Sequence, residues 1–187
     1  MRIIGGKFKG KNISFIKSFT TRPLKDSVKE SIFNIIKHSN LLNTKIENSN
    51  VLDLYSGIGS FGIECISRGA NGITFVEKNK EVAKILKKNL ISLKIENKSK
   101  IIVNEIWNFL NLQIKKKFEI IFFDPPFKDS NYLKELNFIK IKKIFTKKHT
   151  IIIHREKNST DDWRELVEPL VIKIYGRSKI IFGKFLT

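Results

Sequence analysis

The chain has 187 residues, 41% of them hydrophobic, which suits one folded domain with its own core and excludes a disordered chain. No stretch approaches the roughly 20 apolar residues of a membrane span, the opening MRIIGGKFKG has no apolar run of signal-peptide length, and the single cysteine, Cys65, leaves no internal disulfide to form, so a cytoplasmic protein is expected. The formal charge of +18, from 36 basic and 18 acidic residues, points to a phosphate-rich partner, although only six of the basic residues are Arg and a Lys, Ile and Asn bias is also what A/T-rich codon usage produces.

Placement of charge is therefore more informative than its total. Residues 1–25 carry Arg2, Lys7, Lys9, Lys11, Lys17, Arg22 and Lys25 and no acid. Gly5, Gly6 and Gly10 lie between β-prone residues 2–4 and 11–15, which predicts a small basic hairpin or arm over residues 1–25. Phe8 and Phe15 are expected to cover it against a main domain of residues 26–187. Thr21-Arg22-Pro23 breaks the chain before a helix. Ser27 and Glu30 have capping-box spacing, and Val28, Ile32, Ile35 and Ile36 recur with helical period up to about His38. Residues 39–49 read as a polar connection.

From Asn50 onward strands alternate with helices. Residues 51–54 predict a first strand, followed by a glycine loop and a helix over 60–68. Residues 72–77 (GITFVE) predict a second strand, 80–93 a helix capped by Asn79, 101–104 a third strand and 106–112 a short helix. Residues 118–124 (FEIIFFD) are almost wholly apolar, as a strand buried on both faces should be. A helix over 132–141 and a fifth strand over 150–154 follow. Residues 171–175 and 179–185 predict a closing hairpin with Gly176 near its turn. This order implies an α/β, Rossmann-like fold, a mostly parallel sheet with an antiparallel hairpin at its C-terminal edge. Ligands of such sheets bind at the carboxyl ends of the strands. That brings forward residues 53–59, Glu77, Asn104 with Glu105, and residues 124–127.

Asp53-Leu-Tyr-Ser-Gly57-Ile-Gly59-Ser-Phe-Gly62 contains Gly-x-Gly-x-x-Gly, whose glycines let the backbone turn tightly and approach a ligand. Glu77 closes the second strand, where a carboxylate can accept from both hydroxyls of a ribose. Alone, the pattern also fits a nicotinamide dinucleotide or a tight turn with no ligand. Asp53 discriminates. An acid beside the loop repels a pyrophosphate but suits S-adenosylmethionine, which has no phosphate and carries an amino group and a sulfonium. Asp53 can also cap the loop that follows it.

Asp124-Pro125-Pro126-Phe127 follows the fourth strand. An exocyclic amine of a base is a poor nucleophile because its lone pair is delocalised into the ring. Hydrogen bonds from its protons to Asp124 and to a carbonyl of the proline loop favour a pyramidal nitrogen and free the lone pair for in-line attack on a methyl group. The prolines fix φ and remove backbone donors, and Phe127 can stack on the base. A bare Asp-Pro-Pro is more simply a rigid strand end; beside a glycine loop and Glu77, amine chemistry is the better reading. No metal is needed, and the three His and one Cys are widely spaced. Trp107 and Trp163 read as packing, and Lys115-Lys116-Lys117 as a solvated turn.

Further segments narrow the reading. They are the opening Met1-Arg-Ile-Ile-Gly-Gly-Lys-Phe-Lys-Gly10, Thr21-Arg-Pro-Leu, Val28-Lys-Glu-Ser-Ile-Phe-Asn34, Ser67-Arg-Gly-Ala70, Phe75-Val-Glu-Lys78 and Tyr175-Gly176. With the glycine loop and Phe123-Asp-Pro-Pro-Phe127, they make the chain resemble the bacterial ribosomal RNA small-subunit methyltransferase D family over almost its whole length. The resemblance implies a class I methyltransferase, monomeric and without metal or membrane. Its cofactor would be S-adenosylmethionine and its target guanine N2 in 16S ribosomal RNA, free or in a 30S assembly particle. It implies cofactor contacts from Asp53, Tyr55, Ser56, Gly57, Gly59, Glu77, Lys78, Glu105 and Ile106. It places Asp124, Pro125, Pro126 and Phe127 at the base, and Lys7, Lys9, Lys11 and Arg22 at the RNA. The chain departs from the family pattern at Glu105 (usually Asp), at Ile58 (usually small, here expected to pack under the loop), at Leu24 (commonly Thr) and at His154 (an acid expected).

Three other functions compete. A methyltransferase of adenine N6 or cytosine N4 would use the same Asp-Pro-Pro chemistry, and only the N-terminal elements favour guanine. A dinucleotide oxidoreductase leaves residues 124–127 and the basic arm unexplained. A non-catalytic RNA-binding protein would have no need of Glu77 and Asp124.

Overall fold

The computed structural model describes residues 1–15, 24–129 and 131–186. Seven strands form one sheet: β1 (Asn50–Leu54), β2 (Gly72–Glu77), β3 (Ser99–Val103), β4 (Phe118–Phe123), β5 (Phe145–Glu156), β6 (Val167–Tyr175) and β7 (Ser178–Phe185). The helices are α1 (Asp26–His38), α2 (Ser60–Ser67), α3 (Lys80–Leu93), α4 (Ile106–Asn111) and α5 (Tyr132–Lys142). The strand order is β3-β2-β1-β4-β5-β7-β6. The first five strands run parallel, and β7 lies antiparallel between β5 and β6. The fold class is the one expected, including the antiparallel C-terminal edge.

Two apolar layers clamp this sheet. In β4, Ile120 and Phe122 face one core and Ile121 and Phe123 the other. The first core packs α1, α2 and α3 against the sheet, and Phe61 stacks between Phe33 and Phe122 at centroid distances of 5.3 and 4.0 Å. The second packs α4 and α5 through Phe109, Leu110, Leu136 and Ile139. Each such side chain contributes about 1.5–3 kcal/mol on full burial. The strand ends are thereby held in register, and the chain reverses direction across the sheet between β1 and β4, where α/β sheets bind ligands.

Local differences from expectation have physical causes. The capping box at Ser27 and Glu30 does not form. Lys25 is the N-cap of α1 and gives no side-chain bond, so Ser27 is already inside the first turn. Asp26 instead places a carboxylate at the positive helix end, paired with Arg2 at 3.3 Å and Lys29 at 3.5 Å. Strands β3, β5 and β6 start earlier than expected. Pro169 sits within β6 because β6 is the sheet edge and its register shifts between Pro169 and Val171.

The N-terminal segment pairs with itself. Ile3 N–H donates to Lys11 O (2.9 Å) and Ile13 N–H to Met1 O (2.8 Å) around a short 3-10 turn at Gly6–Phe8. Ile3, Phe8 and Ile13 are buried in the same core as α1 and α2. Phe8 covers the segment as expected; Phe15 is 44% exposed. Thr21-Arg22-Pro23 lies outside the described residues. Among the described residues no helix is long and apolar enough to cross a membrane.

Candidate active site at the strand ends

A cavity of about 650 Å³ opens where β1, β2, β3 and β4 end, and members of all four residue groups singled out in the sequence line it, although Leu54 and Gly59 do not. In the loop after β1, Tyr55, Gly57 and Gly59 take φ values of 59°, 54° and 84°. These left-handed residues turn the chain sharply into α2. At Gly59 a Cβ would lie 2.4 Å from Leu86 Cδ1, whereas at Gly57 it would meet nothing within 4 Å. Gly57 therefore presents bare backbone at the cavity wall.

Two carboxylates hold that loop. Asp53, 1% exposed, accepts the Gly62 N–H at 3.0 Å, so it does cap the loop. Burial pushes its carboxyl well up; the Gly62 amide opposes this, and nearby Asp124 and Glu77 add to it. Glu77 accepts the Gly57 N–H at 2.9 Å through one oxygen and the Asn79 N–H at 2.8 Å through the other. Its orientation is set before any ligand arrives, and each oxygen keeps a lone pair. Ser56 Oγ and Ser60 Oγ are buried at the cavity wall with no hydrogen-bond partner among the described residues. An unmet buried hydroxyl costs about 1–3 kcal/mol, which a polar ligand would relieve.

Six acids line the cavity (Asp53, Glu77, Glu105, Asp124, Asp129 and Glu135) against two lysines, Lys25 and Lys78. In a chain of charge +18, this acid-rich lining suits a cationic ligand better than a pyrophosphate. Glu105 and Lys78 are exposed at the rim, while Ile106 is buried and offers an apolar wall. Ile58 packs partly buried under the loop. Among the described residues no group of three or more His, Cys, Asp or Glu is placed to hold a metal.

The loop after β4 brings Asp124, Pro125, Pro126 and Phe127 to the opposite wall. Asp124 Oδ1 lies 2.8 Å from His154 Nδ1. Phe127 is half-buried and meets the His154 ring edge-on at 5.5 Å. Lys7, Lys9 and Lys11 are exposed but are not gathered here. Their turn packs against Ser67 and Arg68 at the far end of α2, a helix length of roughly 12 Å from the rim. Arg22 lies outside the described residues. Of the described N-terminal residues, Met1, Phe15, Leu24 and Lys25 reach the cavity.

Known proteins share this architecture. The family described as "Conserved hypothetical protein 95" matches residues 1–184. The ribosomal RNA small subunit methyltransferase D of Buchnera aphidicola subsp. Baizongia pistaciae is 37% identical over 159 residues, 85% of this chain and 77% of that protein. The chain belongs to the ribosomal RNA small-subunit methyltransferase D family. The protein of that name from Haemophilus influenzae is 39% identical over 129 residues, 68% of this chain and 64% of its own. The solved structure of yhhF from Escherichia coli, described as a candidate methyltransferase, superposes with a TM-score of 0.85 at 25% identity, covering 100% of this chain and 98% of that one.

Within this member of the family, three polar features were not legible in the sequence. Arg155 is 1% exposed. Its Nε donates to Asp161 at 2.6 Å, and its two terminal nitrogens donate to the carbonyls of Pro126 (3.0 Å) and Phe127 (2.9 Å). His154, noted only as a departure, holds Asp124. Tyr55 donates to Glu135 at 2.6 Å, joining the loop after β1 to α5. The one available signal was the charged Arg155 two positions past the apolar run Ile151-Ile152-Ile153, since a buried cation must be paired.

Arg155→Ala is expected to lower stability by about 3–5 kcal/mol in urea unfolding, because Asp161 and two carbonyls lose their partner; a loss below about 1 kcal/mol would show that the loop holds itself. Glu135 is pushed up from 4.5 to about 7, chiefly by burial, with the Tyr55 hydroxyl opposing and Asp129 and Glu105 adding. A raised folded value means that its stabilising contribution is full below about 4.5 and lost as pH rises through about 7. Glu135→Gln should therefore match the wild type in acid and become the more stable protein above neutrality. A urea midpoint difference that does not change with pH would contradict this.

Proposed function

We propose that this protein transfers a methyl group from S-adenosylmethionine to the exocyclic N2 amino group of a guanine in small-subunit ribosomal RNA. The observation that carries the reading is the pairing of an acid-lined cavity on a glycine loop with Asp124 held at its wall. S-adenosylmethionine would supply a methyl group on a sulfonium centre, its S–CH3 bond breaking with the electron pair left on sulfur as a neutral thioether. Glu77 is oriented to accept from ribose hydroxyls. Gly57 offers close backbone approach, the Ser56 and Ser60 hydroxyls lack partners among the described residues, and Ile106 offers an apolar surface to an adenine. Asp53 and its neighbouring acids favour the cationic end, with Tyr55, Lys78 and Glu105 completing the wall and Gly59 turning the loop behind it.

On the other side the acceptors are sorted by what they already bind. The Pro126 carbonyl accepts from Asp129 N–H (2.8 Å) and Arg155, and the Phe127 carbonyl accepts from Arg155. Among the described residues nothing donates to the Pro125 carbonyl or to the second oxygen of Asp124, and these two are assigned to the amino protons of a base. That pair of bonds localises the nitrogen lone pair. Once nitrogen and methyl are joined, the nitrogen carries one proton too many, and the Asp124 carboxylate is the group placed to take it. Phe127 supplies a stacking surface. The base must leave its stack to enter. Outside the cavity the basic surface, including Lys7, Lys9, Lys11 and Arg22, is assigned to phosphates. The names of the curated relatives support ribosomal RNA as the substrate, and the family resemblance supports guanine N2.

Labelled S-adenosylmethionine and small ribosomal subunits lacking the modification should yield N2-methylguanosine. Asp124→Ala should keep cofactor affinity and lose at least about 100-fold in turnover. Label in N6-methyladenosine or N4-methylcytidine would keep the chemistry and replace the base. No label despite cofactor binding would refute the proposal. Glu77→Ala should weaken S-adenosylmethionine binding at least about tenfold, as loss of charge-assisted hydrogen bonds requires; unchanged affinity would remove its ribose role.

A further inference from the structure

We propose that His154 and Ser178 form a positioning pair that sets the Asp124 carboxylate for the base amine, a proposal that rests on the function given above. His154 Nδ1 lies 2.8 Å from Asp124 Oδ1, and its Nε2 lies 2.9 Å from Ser178 Oγ. His154 is 8% exposed. Both ring nitrogens are engaged, so the ring has none left for a substrate and acts through Asp124.

The chemistry of the three groups fixes the direction of the bonds. An ionised carboxylate only accepts, so Nδ1 carries a proton and donates. In the neutral ring Nε2 is then the acceptor, and the Ser178 hydroxyl donates to it. The sheet register makes this possible. His154 pairs with Ile180 on β7, and Ser178 is two residues away, hence on the same face as the imidazole. Ser178 thus anchors the imidazole from the antiparallel edge while Nδ1 anchors Asp124. The same ring meets Phe127 at 87°, so one imidazole restrains both the acid and the aromatic residue of the motif. Bonded through Oδ1, Asp124 cannot rotate freely, and its other oxygen keeps one orientation toward the cavity. Loss of that restraint spreads the carboxylate over several orientations, and a misplacement of about 1 Å can cost about 100-fold in rate.

The test uses the full chain with unmodified small subunits, and compares wild type, His154→Ala, His154→Asn and Ser178→Ala. His154→Ala should lower kcat by about 100-fold, with KM for the subunit and affinity for S-adenosylmethionine changed less than about twofold. His154→Asn, whose amide can still donate to Asp124, should recover about tenfold of that loss, and Ser178→Ala should lose less than His154→Ala. Equal activity of the Ala and Asn variants, or a rise in KM at unchanged kcat, would overturn the proposal. A second measurement needs neither turnover nor a variant fold. In wild-type protein with ¹⁵N-labelled histidine in mildly alkaline buffer, His154 should show a protonated Nδ1 and an unprotonated Nε2. An unprotonated Nδ1 would overturn the pairing. If wild type labels no guanine, the functional reading fails by itself, and the nitrogen spectrum still decides the bond between His154 and Asp124.

Discussion

A guanidinium withdrawn from water needs its donors met, and Arg155 meets its own largely on one loop. Its planar fork spans the carbonyls of Pro126 and Phe127, its Nε binds Asp161, and its face covers Tyr132 at 4.5 Å. The loop after β4 cannot move away without leaving two donors of a buried guanidinium unmet, each at a cost of about 1–3 kcal/mol. The site depends on this constraint. The same bonds that hold the loop engage two of its carbonyls and fix their direction. Successive strand residues point to opposite faces. His154 therefore reaches the motif's acid from one side of β5 while Arg155 grips the motif's backbone from the other.

Charge is segregated in the folded molecule. The chain as a whole carries +18, yet its cavity is lined by six acids and two lysines. Burial pushes the carboxyls of Asp53 and Glu135 up, and neighbouring acids add to it. A cationic ligand in the cavity lowers the repulsion between acids, while a polyanion finds its attraction outside. The loop geometry adds a second filter, because Glu77 spends one lone pair of each oxygen on backbone amides and keeps the others in fixed directions.

The basic N-terminal segment is part of the folded core. Glu64, 0% exposed, accepts the Ile4 N–H at 2.9 Å and pairs with Arg68 at 2.9 Å, while the buried Lys29 donates to the Arg2 carbonyl at 2.7 Å. These bonds seat the hairpin on α1 and α2 and return the chain to the cavity mouth at Phe15. The lysines that project from it are those that the packing leaves outside.

Features that depend on near neighbours were legible in the amino-acid sequence. Alternating apolar runs and helical periods located the seven strands and five α-helices, though not the 3-10 turn at Glu96–Lys98. Asn79 was readable as a cap because its amides are two and three residues away, at 2.9 and 3.2 Å. The glycine loop and Asp124-Pro125-Pro126-Phe127 were readable because their conformational demands are local. Where a tertiary contact competed, local signals failed. The Ser27 box lost to Asp26, which Arg2 and Lys29 hold, and β6 extended past Pro169 because it is an edge. The partners that finish the site were out of reach. Asp124 and His154 are 30 residues apart, Pro126 and Arg155 29, and Tyr55 and Glu135 80. The sequence by itself determined the α/β order of elements and the chemical character of the strand-end loops, since both follow from backbone periodicity and short-range sterics. Only the tertiary structure decided which polar side chains meet, because burial makes an unpaired charge too costly and leaves each one the few partners that the sheet register brings within hydrogen-bond reach.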